Sequence, residues 1–226
     1  IMNEDMIDLS NLNTLLNNRE NADVNLFASE IIKRNLRNSI LVDITANDAV
    51  AEIYESLLRK SISVVACNKV AASSSFQKYT TLKEVAREFN SQFLFETNVG
   101  AGLPVIATLN DLVRSGDRVH RIQAVLSGTL NFVFNNYDGT KKFADIVKQA
   151  QDEGYTEPDP RLDLGGTDVM RKILILAREA GQRIEMNEVV NHSFMPEKCM
   201  QGTVADFYNE MGKAEAHFKQ MLIEAN

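Results

Sequence analysis

The 226-residue chain is 44% apolar and 24% charged, the composition of a globular protein large enough to bury a core without disulfide or metal staples. Its 24 basic against 31 acidic residues give a net charge of −7, which excludes the basic surplus of a nucleic-acid or anionic-membrane binder. No apolar run approaches the roughly 20 residues that span a bilayer, no secretory signal is visible in the first residues given, and Cys67 and Cys199 make neither a disulfide framework nor a metal knuckle, so a reducing, cytoplasmic compartment is expected.

Ile1–Arg19 is rich in Asn with little helical patterning, an unusual start for a compact domain. Ser39–Ile44 (SILVDI) reads as a short strand. Asp48–Arg59 puts Val50, Ile53, Tyr54, Leu57 and Leu58 on one helical face, and Ser61–Cys67 (SISVVAC) is a second strand. Ser75–Phe89 sets Phe76, Tyr79, Leu82, Val85, Ala86 and Phe89 at helical spacing, and Gln92–Glu96 (QFLFE) is a third strand. This β-α-β-α-β order predicts a parallel sheet with helices on its faces.

Such sheets bind ligands beyond the carboxyl ends of their strands. Thr45–Ala46–Asn47 and Asn68–Lys69 stand at two of those ends. A dinucleotide-binding sheet also needs a glycine-rich turn, where the backbone approaches the pyrophosphate at a helix N-terminus. All 11 glycines and all 4 prolines, however, lie at or after position 100. Two explanations stay open: a sheet that never held a dinucleotide, or a piece cut downstream of its first βαβ unit, which the opening residues favour.

Further on, the pattern predicts helices over Leu103–Arg114 (opened by Pro104), Ser127–Asn136, Phe143–Glu153, Thr167–Ala180 and Val204–Ile223. A strand is expected over Arg118–Leu126, with Val119, Arg121, Gln123 and Val125 on one face. The domain boundary is expected near Gly100–Pro104, dividing the chain into 1–102 and 103–226.

Chemistry concentrates in Tyr155–Lys172 (YTEPDPRLDLGGTDVMRK), which crowds Glu157, Asp159, Asp163, Asp168, Arg161, Arg171 and Lys172 into a loop and the start of a helix. Asp168 and Lys172 are four apart and share a helix face. One reading is a solvated loop with a surface ion pair. The other is a pocket wall supplying carboxylates to a substrate ammonium and a lysine to a carbonyl oxygen. Glu96–Pro104 (ETNVGAGLP) admits two readings as well: ordinary strand-to-helix turn chemistry, or a hard-cation site built from Glu96 and backbone carbonyls. His120, His192 and His217 lie far apart in sequence and read as structural.

The runs ETNVGAGLPVI, SGTLNFVF and above all GYTEPDPRLDLGGTDVMRKILILARE resemble the signatures of homoserine dehydrogenase, in family order and spacing, over nearly the whole chain. The opening and the TNVGAGLPVI wording resemble the dehydrogenase part of bifunctional aspartokinase–homoserine dehydrogenases. The resemblance implies an incomplete Rossmann-like sheet lacking its glycine-rich first unit, followed by an α/β catalytic and dimerisation domain that lacks a C-terminal return segment. It implies NAD(P)H-dependent interconversion of L-aspartate 4-semialdehyde and L-homoserine, in threonine and methionine biosynthesis, by a homodimer or larger homo-oligomer. Carried over by motif, Lys172 matches the proton donor, Asp168 and Asp163 match acidic pocket residues, and Glu157 matches a glutamate that holds substrate. Lys69 lies between nicotinamide and substrate, and Thr45 matches a nucleotide-contacting threonine. Glu96, with the backbone oxygens of Val99, Ala101 and Leu103, matches a sodium-type site.

These assignments make physical sense. An α-ammonium entering a closed pocket needs carboxylates to replace its lost water. Hydride addition puts negative charge on a carbonyl oxygen, which a lysine stabilises or protonates. Val70, Leu162 and Ala46–Asn47 depart from residues common in the family, without touching the proposed catalytic groups. The alternative function is a catalytically silent module that contributes only a substrate pocket and a dimer interface. The missing glycine-rich turn also implies that the chain by itself is inactive and binds the cofactor poorly.

Overall fold

A computed structural model describes residues 7–17 and 21–225. Residues 1–6 and 18–20, part of the Asn-rich opening, lie outside the described residues. The rest of that opening forms a 3₁₀ turn at Leu9–Asn11 and a short helix α1 (Leu12–Asn17). Helix α2 (Val24–Arg34) follows; its N-cap is Asp23, which accepts from the Asn25 and Leu26 amides, and Lys33 and Arg34 lie in its last turn. The apolar pattern did not single this helix out, although both end signals are in the sequence.

Strand β1 (Ile40–Asp43) leads to helices α3 (Asp48–Glu52) and α4 (Tyr54–Leu58), then β2 (Ser63–Ala66), α5 (Phe76–Glu88) and β3 (Phe93–Leu94). The expected helix over Asp48–Arg59 is divided at Ile53. The three strands form a parallel sheet in the order β1-β2-β3, with Val42 opposite Val65 and Val65 opposite Leu94. Leu41, Val64 and Ala66 point into a core shared with Ala28, Tyr54, Leu57, Leu58, Leu82 and Val85. The expectation of helices on both faces is corrected. Ile40, Val42, Val65 and Leu94 form an open face among the described residues, Val42 being 61% exposed, because no described element packs against them.

Beyond β3 come a 3₁₀ turn at Glu96–Asn98 and helices α6 (Val105–Arg114), α7 (Gly128–Asn136), α8 (Phe143–Asp152), α9 (Arg161–Leu164), α10 (Thr167–Glu179), α11 (Val204–Lys213) and α12 (Glu215–Ala225). None is long and apolar enough to cross a membrane. The predicted strand over Arg118–Leu126 is also corrected. The segment pairs with no strand among the described residues, and Ile122 and Leu126 pack inward while Val125 is 77% exposed. Its alternation is real, but the ladder hydrogen bonds that make a strand have no described partner.

The long helix expected over Val204–Ile223 breaks at Ala214. The break lets Glu215 turn back, its carboxylate accepting from the Phe143 amide (2.8 Å) and the Tyr137 hydroxyl (3.0 Å). Phe218 then stacks on Phe143 at 4.1 Å. This core joins α7, α8, α11 and α12. Another core, with Tyr79, Phe95, Val99, Ile106, Ile175 and Leu176, joins α5, α6 and α10. Helix α10 therefore packs against the sheet side of the molecule.

Candidate functional site

The carboxyl ends of β1 and β2 are held by one buried carboxylate. Asp43 accepts from the Thr45 amide at 2.7 Å, from Asn68 Nδ2 at 3.0 Å and from the Tyr54 hydroxyl. Burial by itself would raise the Asp43 carboxyl, but the donors from Tyr54, Thr45 and Asn68 outweigh it and hold it below the usual range. Burial, reinforced by Asp43, pushes the Tyr54 phenol up, so it stays a donor. Asn68 also donates to the Asn47 carbonyl (3.0 Å) and accepts from the Val70 amide (3.0 Å). This network sets the turn bearing Lys69 and leaves Thr45 exposed at the sheet's edge, its hydroxyl accepting from the Asn47 amide at 3.2 Å. Neither Asp43 nor Tyr54 was singled out by sequence. A strand-final Asp is the only local signal, and the tyrosine reaches it only through the fold.

Lys69 crosses to the first turn of α10. Its Nζ lies 3.3 Å from Asp168 Oδ1, and Lys172 Nζ lies 2.6 Å from Asp168 Oδ2. Lys172 also donates to the Leu126 carbonyl at 2.7 Å and its side chain is only 17% exposed. Burial acts to raise the Asp168 carboxyl, but the hydrogen bond from Lys172 and the charges of both lysines prevail and hold it low. The cluster is one carboxylate between two ammonium groups, one from each half of the chain. The i, i+4 spacing made the Asp168–Lys172 pair legible. That Lys69 completes it is a tertiary result.

Glu157 and Asp163 form a separate pair. Asp163 Oδ2 accepts from the Glu157 amide at 2.9 Å, and the Thr129 hydroxyl lies between Asp163 Oδ1 (3.2 Å) and the Tyr155 carbonyl (2.5 Å). The Glu157 side chain is exposed. No hydrogen bond or ion pair among the described residues links this pair to the Lys69–Asp168–Lys172 cluster. Asp159 and Arg161 bind each other in a two-pronged pair, Nε to Oδ1 at 2.8 Å and Nη2 to Oδ2 at 2.6 Å. The guanidinium's hydrogen bonds hold the Asp159 carboxyl below its usual range. Arg161 also donates to the Gly202 carbonyl at 2.6 Å, so these two charges stiffen the loop.

Glu96 begins the turn after β3. Its two carboxylate oxygens accept from the Ile106 and Ala107 amides, each at 2.8 Å, which caps α6 behind Pro104. Gly100 and Ala101 both adopt positive φ, +84° and +52°. The Leu103 carbonyl accepts from the Val105 amide at 2.9 Å. Among the described residues no three His, Cys, Asp or Glu side chains gather as a metal site. A cation here would rely on Glu96 and main-chain oxygens. His217 contacts the Phe194 carbonyl at 2.8 Å, a structural use.

The family model described as homoserine dehydrogenase matches residues 104–226, and the one described as homoserine dehydrogenase, NAD binding domain, matches residues 3–96. The chain is 41% identical over 208 residues to the chloroplastic bifunctional aspartokinase/homoserine dehydrogenase 2 of Zea mays, covering 91% of this chain and 23% of that protein. It is 47% identical over 158 residues to the homoserine dehydrogenase of Paracoccidioides brasiliensis, covering 66% of this chain and 42% of that protein. The structure of a hyperthermophilic archaeal homoserine dehydrogenase in complex with NADPH is similar at a TM-score of 0.62 and 30% identity, over 76% of this chain and 53% of that one. The chain thus spans less than half the length of these curated relatives. Both models match in chain order and between them take in most of its length, so the chain belongs to the homoserine dehydrogenase family.

Proposed function

We propose that this chain supplies the substrate pocket and the nicotinamide-facing sheet edge of a homoserine dehydrogenase, which interconverts L-aspartate 4-semialdehyde and L-homoserine on the route to threonine and methionine. The observation that carries this reading is the cluster in which Lys69, from the sheet, meets Asp168 and Lys172, from α10. When bound, NADPH or NADH supplies a hydride to the aldehyde carbon. The residues at the edge suit the nicotinamide end of that cofactor: an exposed Thr45 and a part-buried Lys69 beyond the carboxyl ends of parallel strands. The NADPH complex of the archaeal relative supports a nicotinamide cofactor.

In this reading, Lys172 stabilises and protonates the carbonyl oxygen as negative charge develops there. Asp168 holds both lysine ammonium groups in place and keeps them from parting by mutual repulsion. Glu157, whose carboxylate has no described hydrogen-bond partner, receives the substrate α-ammonium, and Asp163 fixes the Glu157 backbone. Glu96 with the carbonyls of Val99, Ala101 and Leu103 holds a monovalent cation of the sodium type, stiffening the turn at the start of α6. The functional division is proposed at residues 102 and 103, a reading supported by separate family matches over residues 3–96 and 104–226. The exposed Val125 and Phe134 support a homo-oligomer formed through the second part.

Expressed from its complete reading frame, the protein is expected to oxidise NADPH in the presence of L-aspartate 4-semialdehyde. Lys172→Ala is expected to lower kcat by about 10²–10⁴-fold, the usual effect of losing a general acid, with a smaller change in KM. A near-normal kcat in that variant would remove Lys172 from the chemistry. No turnover by the unmodified protein would remove the whole reading.

A further inference from the structure

We propose that Arg178 and Glu179, at the far end of α10, are positioning residues that set the spacing of Lys69 to Asp168 and Lys172; this rests on reading that cluster as the reacting site. Asp168 and Glu179 lie on one helix, about 16 Å apart along its axis at 1.5 Å rise per residue. One end of α10 carries the reacting groups. The other end is fastened to the segment that carries Lys69.

The fastening is built from buried polar groups. The Glu179 side chain is only 1% exposed and pairs with Lys83 Nζ at 2.8 Å. It also accepts from the Tyr79 hydroxyl and, at 2.8 Å, from Asn110 Nδ2. Three donors from α5 and α6 thus converge on one carboxylate. The phenol of Tyr79 is pushed up by burial and by Glu179, so it remains a donor. Beside it, the buried Arg178 guanidinium donates from Nη1 to the carbonyls of Ala72 (3.1 Å) and Ser74 (2.8 Å). Its Nε donates to the Ile184 carbonyl at 3.1 Å, and its Nη2 meets Glu185 at 3.1 Å. Glu185 in turn accepts the Phe76 amide that opens α5, at 2.9 and 3.0 Å. The guanidinium also lies over the Phe76 and Tyr79 rings.

Ala72 and Ser74 belong to the turn that begins at Lys69. Within that turn the Lys69 carbonyl accepts from the Ser73 amide (2.9 Å) and hydroxyl (2.7 Å). Arg178 holds two more of its carbonyls. The turn is therefore rigid in itself and tied to α10 by a side chain with no competing water. A fully donated carboxylate and a five-donor fork make this joint far stiffer than the half-exposed Lys69–Asp168 pair by itself. The position of the Lys69 ammonium over Asp168 follows from it.

The test uses the 226-residue chain with Glu179→Gln, Arg178→Lys and, as the mildest change, Tyr79→Phe. Competitive acetylation with acetic anhydride, read peptide by peptide by mass spectrometry, compares Lys69 and Lys172 with the exposed Lys60 and Lys141. Lys69 and Lys172 are expected to react several-fold faster in variants that still unfold cooperatively, while Lys60 and Lys141 do not change. Unchanged rates at Lys69 and Lys172 in a folded variant would overturn the proposal. In the protein expressed from its complete reading frame, the same variants are expected to lose about 10–100-fold in kcat, as for a small misplacement of reacting groups, with KM little changed. A rise in KM with kcat intact would overturn it. If the unmodified protein does not turn over aspartate semialdehyde, the functional reading fails while the labelling still decides the positioning role.

Discussion

Asp168 lies between the ammonium groups of Lys69 and Lys172 and remains 43% exposed, so its worth to folding is moderated by solvent. Its carboxyl is held below the ordinary value in the folded chain. The stability it contributes is therefore full above the unfolded-state value, about 3.9 for Asp, and is lost as pH falls through the lower folded-state value. Urea unfolding of the unmodified chain and Asp168→Asn should show a gap that is constant from about pH 7 to pH 5 and closes below about pH 4. A gap that stays constant down to pH 3 would mean the carboxylate's pairing does not contribute as described. At this scale Lys172 and Asp168 were legible because helical spacing places them on one face. From the residue pattern Lys69 was legible as a residue at a strand end, and the resemblance set it between nicotinamide and substrate, without naming Asp168 as its partner. Asp43 carried only the signal of an Asp at a strand end, and Tyr54, Arg178 and Glu179 carried none, since each acquires its meaning from partners distant in the chain.

Between α9 and α10 the chain passes through Gly165 and Gly166, and this joint aims the first turn of α10. Gly166 has φ +83°, and a Cβ there would meet the Asn191 side chain at 3.0 Å. Asn191 also donates to the Gly165 carbonyl at 2.9 Å. At Gly165 an added Cβ would lie 2.7 Å from the Arg161 carbonyl oxygen, backbone that cannot move without unwinding α9. Gly166→Ala is expected to destabilise the chain by about 1–2 kcal/mol, the cost of a left-handed residue with a Cβ, measured by urea unfolding. A neutral effect would show that the joint relaxes freely. Of the two helices at this joint, α10 was readable from its apolar spacing, whereas the four residues of α9 read as part of the loop. Arg118–Leu126 was not readable as it stands, because alternation reports one buried face and says nothing of whether a neighbouring strand is there to pair.

Across the whole molecule, the sheet packs on one core, α10 shares a second with α5 and α6, and α7, α8, α11 and α12 build a third. The proposed reacting groups divide the same way: Lys69, Asp168 and Lys172 on one side, Glu157 and Asp163 beside Thr129 of α7. The cofactor edge offers Thr45 and Lys69, and no glycine precedes Gly100. A pyrophosphate needs a helix N-terminus with closely approaching backbone amides, and two side chains do not replace it. Calorimetric titration of the 226-residue chain with NADPH is therefore expected to show binding much weaker than micromolar. Micromolar affinity would mean the described edge suffices. The parallel α/β order, most helices and the acidic loop before α10 were determined by the sequence itself, because periodicity, caps and turn residues are local properties. Which face of the sheet is open, that Lys69 joins Asp168, that Glu96 caps α6, and that Arg178 and Glu179 tie α10 to the Lys69 turn were decided only by the tertiary structure. Each depends on groups that are distant in the chain and meet only when burial removes water from between them.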